Sequence, residues 1–420
     1  MATQEQKKAF LAEAFSKLRG AAPAVREIPE FAPTMEEYTR VKAITYDGPG
    51  RNGAKTKAFA YIGFPEGASE REPVPGIVLV HGGGGHAYLE WVRMWNDRGY
   101  AAIAMDNTGF FPTEVNAGEW EGTKRFAYGL SGVFAEDGYA DAPNNDCMAS
   151  SDGEVEDMWM YHAVGQVITA HNILRADKRV DNARIGITGV SWGGVITSIA
   201  IGWDDRFAFA IPIYGSGHMT ESRASIGQFF AGSATQALWS AAERFDRVTM
   251  PVLWLGWNDD NCFSVNSHSA SFADTVKNNA DTRLSYIHGM MHSHTWAWKP
   301  AESMFFADSV VRGTPAMAGF AVQPSGRCLE AKLDVAPGTA VSGARLFYIT
   351  SPQTYSTREK YGFTATFMDQ EWQIAPLAYD EATHTVTGTV PAEAAAYYVE
   401  ATTVLNGVAV VTCSEFIELT

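Results

Sequence analysis

Ser191 sits in the run G-V-S-W-G, with Gly189 and Gly193 two residues to either side. A serine hydroxyl is a weak nucleophile until a neighbouring base takes its proton, and that base needs a third group to orient it. The apolar run IGITG leads into Ser191 and the small-residue run GGVITSIAI leads away, which predicts strand, sharp turn and helix. Glycines at these two positions let the chain bend tightly and leave the hydroxyl exposed at the start of the helix. On its own the run is also satisfied by a serine in an ordinary turn, so the rest of the chain has to decide.

Three further stretches supply the remaining parts. Residues 80–86 read V-H-G-G-G-G-H after an expected strand. Glycines there let backbone N–H groups approach a reacting oxygen, so Gly83 or Gly84, with the N–H of Trp192 after the serine, is expected to form an oxyanion hole. The run lacks the lysine and the spacing of the phosphate-binding loops. The strand VLWLG runs into W-N-D-D-N-C-F, which offers Asp259 as the acid, with Asp260 beside it as the alternative. One member of this pair is also suited to cap the helix that follows. The stretch Y-I-H-G-M-M-H-S-H offers the base. His288 ends an expected strand, whereas His292 lies in the loop beyond it and is the choice, with His294 as the alternative. The chain order Ser, Asp, His, each after a strand, is the order expected of α/β-hydrolases.

These parts need a scaffold, and the chain is long enough to build one. It has 420 residues, 46% hydrophobic and 19% charged, an ordinary composition for a protein with a large core and more than one domain. With 32 Lys and Arg against 48 Asp and Glu, the net charge is −16, which argues against nucleic-acid and anionic-membrane partners. No apolar run approaches the ~20 residues that span a bilayer. The first 20 residues read as an amphipathic helix rather than a signal peptide. The expected compartment is the cytoplasm, or the periplasm or exterior if a signal has been removed. The four cysteines, Cys147, Cys262, Cys328 and Cys413, lack zinc-site spacing and read as free thiols, with Cys328–Cys413 the alternative pairing.

Two strand-like runs between Tyr38 and Gly63 suggest an antiparallel hairpin. From residue 77 onward, short continuous apolar runs alternate with helical segments: IVLVHG, YAAIAMD, RIGITG, FAFAIPIYG, PVLWLGW and RLSYIHG. That alternation predicts a mainly parallel sheet with helices on both faces. Beyond about residue 320 the helical period fades into roughly seven short strands, the pattern of an immunoglobulin-like sandwich. The expected domains are 1–320, α/β with an N-terminal helix, and 321–420, all β. Residues 107–152 lack regular periodicity and read as a lid-like insertion. Its aromatics Phe110, Phe111, Trp120, Phe126, Tyr128, Phe134 and Tyr139 are expected mostly to pack the insertion down, with one or two facing ligand.

Taken together, HGGGG, GITGVSWGG, LWLGWNDD and MMHSH resemble the α/β-hydrolases of the acetyl xylan esterase, cephalosporin-C deacetylase and dienelactone hydrolase-like group, over residues 40–315. The most specific part is DNARIGITGVSWGG. The resemblance implies Ser191 as nucleophile, Asp259 as acid, His292 as base, and Gly83 with Trp192 as the oxyanion hole. It implies ester hydrolysis through an acyl-enzyme, with no cofactor or metal. Insertion 107–152 and the terminal β-domain depart from the small deacetylases. Trp120, Trp257 and Trp296 are candidates to hold a sugar face, and Trp159, Trp192 and Trp298 fall near the same loops; tryptophans also fill cores. The expected partner is a small-molecule or carbohydrate ester; the sandwich is a polysaccharide-binding, structural or dimerisation module, which leaves a homo-oligomer open. Two readings compete: a peptidase similar to the prolyl oligopeptidase group, whose usual propeller has no room in the 40 residues before the hairpin, and a non-catalytic binding protein on the same scaffold, expected to have lost one of the three residues.

Overall fold

The apolar runs before the glycine run and before Ser191 form adjacent parallel strands, which bring those two motifs side by side. The computed structural model describes residues 2–112, 126–128, 138–143, 151–222, 224–230, 232–350, 354–355, 365–366 and 371–419. The chain divides into two compact units, one of Met1–Ala210 with Phe229–Arg247, the other of Ile211–Gln228 with Val248–Thr420. The units therefore do not divide at residue 320, although the change to antiparallel strands does fall there.

In the first unit, strands β1 (Val25–Glu27), β2 (Val41–Arg51), β3 (Ala54–Gly63), β4 (Val74–Val80), β5 (Ala101–Met105) and β6 (Val180–Val190) form a sheet in the order β1-β2-β3-β5-β4-β6. β2 and β3 are the expected hairpin, and β3 pairs antiparallel with β5. β4 is parallel to both β5 and β6, with Val80 opposite Gly189. This register makes the glycine run and Ser191 leave the sheet side by side at the carboxyl ends of two adjacent strands, where α/β folds place their ligands.

Helix α1 (Gln4–Gly20) starts in a capping box at Thr3 and Gln6, and α2 (Leu89–Asp97) follows β4. In α3 (Trp159–Ala176) every residue from Trp159 to Leu174 is buried. Such all-round burial suits a largely apolar helix, and polar members such as His171 and Asn172 are hydrogen-bonded. Asn172 Nδ2 donates to the carbonyls of Leu18 (2.7 Å) and Ala21 (3.1 Å), and Arg206 Nη1 donates to that of Arg19 (2.9 Å), so side chains from far along the chain satisfy the end of α1. Beneath them His171 Nδ1 donates to Asp204 Oδ2 (2.9 Å), and Arg206 donates twice to the same carboxylate. Burial opposes the Asp204 charge, but Arg206 and His171 outweigh it and hold the carboxyl well below the usual range; burial keeps His171 below its ordinary value. The first unit also holds α4 (Trp192–Ala200) and α5 (Ser233–Trp239).

Parts of the insertion are described. Phe110–Pro112 pairs antiparallel with Phe126–Tyr128, Phe111 meets Phe31 edge-on at 6.0 Å, and Tyr139 donates to Asp47 (2.8 Å) beneath Lys57. These aromatics pack onto the domain. Trp120, Phe134 and Cys147 lie outside the described residues, as do the side chains of Phe126 and Tyr128.

The chain enters the second unit within β7 (Phe209–Ile213), which with β8 (Leu253–Gly256) and β9 (Arg283–Tyr286) makes three parallel strands. Helices α6 (Val265–Thr275), α7 (His294–Ala297) and α8 (Ala301–Arg312) follow β8 and β9. The terminal strands β10 (Gly319–Val322), β11 (Cys328–Asp334), β12 (Ala340–Ile349), β13 (Gln373–Asp380), β14 (Thr385–Thr389), β15 (Ala396–Leu405) and β16 (Val408–Cys413) are antiparallel in the order β10-β11-β14-β13-β12-β15-β16, with Ile417–Glu418 beside β15. β13 pairs with β12 over Gln373–Leu377 and with β14 over Ala378–Asp380. A strand that changes partner in this way folds one ladder into two facing sheets, around a core that includes Leu329, Leu333, Leu346, Val386, Tyr397 and Val399. This sandwich joins β9 directly: Ser285 Oγ donates to the Val411 carbonyl (2.6 Å), and the Tyr286 N–H meets the buried Cys413 sulfur (3.3 Å). Cys262, Cys328 and Cys413 are free thiols.

No helix among the described residues is long and apolar enough to cross a membrane.

Candidate active site

In the first unit the turn between β6 and α4 has the shape its glycines require. Ser191 has φ 58° and ψ −119°, a conformation sparsely populated by residues with a side chain. A Cβ on Gly189 would lie 2.1 Å from the Gly193 carbonyl oxygen, and one on Gly193 would lie 2.0 Å from that of Val80. Neither position admits any other residue without moving backbone. The Trp192 N–H belongs to the first turn of α4, where amides have no partner within the helix.

The glycine run is held by a buried polar network. His81 Nδ1 donates to the Gly82 carbonyl (2.7 Å), which leaves Nε2 to accept the Asn107 N–H (3.0 Å), while Asn107 Nδ2 donates back to the His81 carbonyl (2.9 Å). Asp106 Oδ1 accepts from the Thr108 and Phe110 amides and the Thr108 hydroxyl. Gly84 has φ 69°, and a Cβ on Gly83 would come within 2.9 Å of the Trp192 ring. Gly83 thus lies against the Trp192 ring. Trp192 packs in turn on Trp159 and Phe230; Trp159 is fully buried and is core.

In the second unit three groups leave the carboxyl ends of neighbouring strands: Tyr214 after β7, the segment 257–263 after β8, and the segment 287–293 after β9. His292 Nδ1 donates to Asp260 Oδ2 at 2.8 Å. Asp260 Oδ1 accepts the Cys262 (2.7 Å) and Phe263 (3.1 Å) amides, so both carboxylate oxygens are engaged and fixed. The imidazole is stacked between Tyr214 (4.5 Å) and Phe263 (5.9 Å, planes 2° apart). Tyr214 is itself held at φ 60° and donates to the Met291 carbonyl (2.6 Å). Burial lowers the imidazole pKa, but the Asp260 charge and hydrogen bond outweigh it and leave His292 above its ordinary value. Nδ1–H faces a carboxylate, so Nε2 carries the lone pair that can take a proton.

The carboxylate that meets the histidine is therefore Asp260, not the expected Asp259. Asp259 turns the other way, and its Oδ1 accepts the Trp372 indole N–H (3.1 Å). The physical reason is the turn closed by the Asp260 amide on the Trp257 carbonyl (3.3 Å), which sends adjacent side chains to opposite sides. Of the histidines, His292 meets Asp260, His294 begins α7 with its ring near Trp298, and His288 accepts from Asn258 Nδ2 (3.2 Å). Trp257, on the loop after β8, and Trp296, in α7, are half-buried, with Lys299 over the Trp296 ring at 3.7 Å. The sequence reading missed Tyr214 and Trp372; the run P-I-Y-G-S-G after β7 was a strand end of the same kind as the other three, whereas nothing marked Trp372.

Donor atoms of Asp260, Cys262 and His292 lie within 4.8 Å of one another, the only such grouping of three among the described residues. Here His292 Nδ1 is bonded to Oδ2 and two backbone amides to Oδ1.

A strained serine elbow beside a glycine run, on parallel strands covered by helices, decides the fold. The chain carries a domain of the α/β-hydrolase fold. Residues 153–307 match the prolyl oligopeptidase family, a family of serine hydrolases that includes both esterases and peptidases. Among solved structures it is similar to an acetyl xylan esterase from Paenibacillus sp. R4 (17% identity, TM-score 0.47, covering 68% of this chain and 89% of that one). It is also similar to a CE15 glucuronoyl esterase from Teredinibacter turnerae (14%, 0.46, 72% and 84%) and to the Pyrococcus horikoshii acylaminoacyl peptidase (18%, 0.40, 60% and 37%). No curated protein sequence matches the chain significantly.

Proposed function

We propose that the chain hydrolyses carboxylic esters through Ser191, His292 and Asp260, with Gly83, Gly84 and Trp192 supplying oxyanion donors and a sugar as the leaving alcohol. The observation that carries this reading is the Ser191 backbone, held at φ 58° between two glycines that no larger residue can replace. Strain of this kind, costing about 1–3 kcal/mol, persists where the surroundings impose it and collects at active sites. His292 Nε2 takes the Ser191 proton as the hydroxyl attacks the carbonyl, and Asp260 stabilises the imidazolium. The oxyanion is held by the backbone donors, the imidazolium protonates the leaving alcohol, and water then releases the acid by the same steps in reverse order of roles. Trp257, three residues before Asp260, and Trp296, four after His292, support a sugar through the flat faces that indoles offer.

The family match favours one second reading, peptide hydrolysis by the same residues. The test is turnover of p-nitrophenyl acetate, butyrate and octanoate, acetylated xylo-oligosaccharide, methyl ferulate and a peptide p-nitroanilide by wild type and Ser191→Ala. Activity confined to short acyl esters and sugar acetates, abolished in the variant, supports the proposal. Cleavage of the anilide alone establishes the second reading. Wild type inert on every substrate, with no fluorophosphonate adduct at Ser191, overturns both.

A further inference from the structure

The acid-bearing loop is gripped from the sandwich at two consecutive residues. Trp372, 7% exposed and just before β13, donates its indole N–H to Asp259 Oδ1 (3.1 Å). One residue earlier Asn258 donates to His288 (3.2 Å), whose ring meets Phe347 of β12 at 5.5 Å. Phe347 stacks on Tyr398 of β15 (4.9 Å, planes 6° apart), and Tyr398 meets Trp372 (5.2 Å). The two grips are thus tied to one aromatic cluster, and Trp372 also rests against Phe416. All these residues belong to the second unit. With Asn258 and Asp259 fixed outward, the turn leaves Asp260 one orientation, toward His292.

Resting on the reading of Asp260 and His292 as acid and base, we propose that Trp372 is a positioning residue: its hydrogen bond to Asp259 holds the loop in the register that keeps Asp260 on His292. The sandwich on this view completes the hydrolase site rather than serving as a separate binding module. A hydrogen bond from a neutral donor to a carboxylate is worth more than one between neutral groups, and its loss would let Asp260 sample positions away from the imidazole. The groups that face His292 are Asp260 and Cys262 from the loop after β8 and the Tyr214 phenol from the segment after β7. Burial and the Asp260 charge raise that phenol far beyond the working pH range, so it stays neutral while His292 titrates.

The experiment compares Trp372→Phe, Asp259→Ala, Asp259→Asn and the double variant Trp372→Phe/Asp259→Ala by two readouts. One is the His292 pKa, followed by NMR on histidine-labelled protein without substrate. The other is kcat and KM on p-nitrophenyl acetate. Trp372→Phe and Asp259→Ala are each expected to lower the His292 pKa and to lower kcat about fivefold to tenfold at unchanged KM. The double variant is expected to fall no further than either single one, the mark of a shared interaction. Asp259→Asn keeps the accepting oxygen and is expected to stay within about twofold. The proposal is overturned if folded Trp372→Phe, checked by near-ultraviolet circular dichroism, leaves the His292 pKa unchanged, or if the two single losses add. Asp259→Ala, which leaves the aromatic cluster intact, answers the question should Trp372→Phe fail to fold. A wild type inert on all substrates, with the pKa shift still present in the variants, removes the catalytic reading and leaves the positioning role standing.

Discussion

The serine elbow and the acid–base loop occupy equivalent places, each beyond the carboxyl end of a parallel strand, yet they are built on different principles. The elbow is fixed by backbone volume: Gly189 and Gly193 sit where a Cβ would strike a carbonyl oxygen at 2.1 and 2.0 Å. The loop is fixed by side-chain pairing: Asp260 between His292 and two amides, Asp259 on Trp372. A site of the first kind should respond to size and be indifferent to charge, and a site of the second kind should do the reverse.

The largest effect expected from that contrast is at Asp260. Asp260→Asn keeps the shape but cannot impose the Nδ1–H tautomer, and kcat for ester hydrolysis should fall about 10⁴-fold with little change in melting temperature. An equal loss in Asp259→Asn would reverse the assignment made here. Next is Gly193→Ala, which should destabilise the first unit by about 3 kcal/mol or more, read as a lower denaturant midpoint or as loss of soluble protein. Retention of a wild-type midpoint would mean that the elbow is looser than its geometry.

The pH dependence separates the two sites further. His292 is raised by Asp260 against the pull of burial, and in the proposed mechanism the neutral imidazole is the base. Log kcat/KM should therefore rise with pH along a limb centred above the ~6.5 of an ordinary histidine. Asp260→Asn should move that limb downward, because burial then acts alone. For stability the sign is opposite: a pKa raised on folding gives a contribution fully present below about 6.5 and lost as pH rises through the folded value. Denaturant midpoints of wild type and His292→Gln should converge across that window. The smallest effect belongs to the elbow: Ser191→Gly should raise stability by about 1 kcal/mol by relieving the positive φ, whereas Ser191→Ala should leave it nearly unchanged.

The same contrast explains what could be read from the chain. The elbow was legible because glycine spacing is a direct record of where a Cβ cannot fit. The parallel strands were legible because burial on both faces leaves continuous apolar runs such as IVLV and VLWLG, and the sandwich because its strands alternate, as Cys328–Asp334 does residue by residue. The histidine that meets a carboxylate, His292, was singled out by its distance from a strand end. Choosing between Asp259 and Asp260 was beyond local pattern, since both are carboxylates on one turn and the choice lies with an indole 113 residues away. The grouping of the chain was equally hidden: the terminal strands share a unit with β8 and β9 because Val411 and Cys413 meet β9 through single polar contacts, which leave no mark on composition.

The docking of α1 bears on the order in which a ribosome delivers the parts. This helix is complete after twenty residues, but Asn172, which caps its Leu18 carbonyl, lies 154 positions later, and Arg206 lies 187 beyond Arg19. At roughly 5–20 residues per second the helix waits on the order of ten seconds or more for its partners. During that interval Leu11 and Phe15, both fully buried in the finished protein, are presented to the cytosol or to whatever chaperone meets the nascent chain. Slowing translation between residues 20 and 172 should therefore lower the yield of native protein more than slowing it after residue 250, when the first unit already has all its segments.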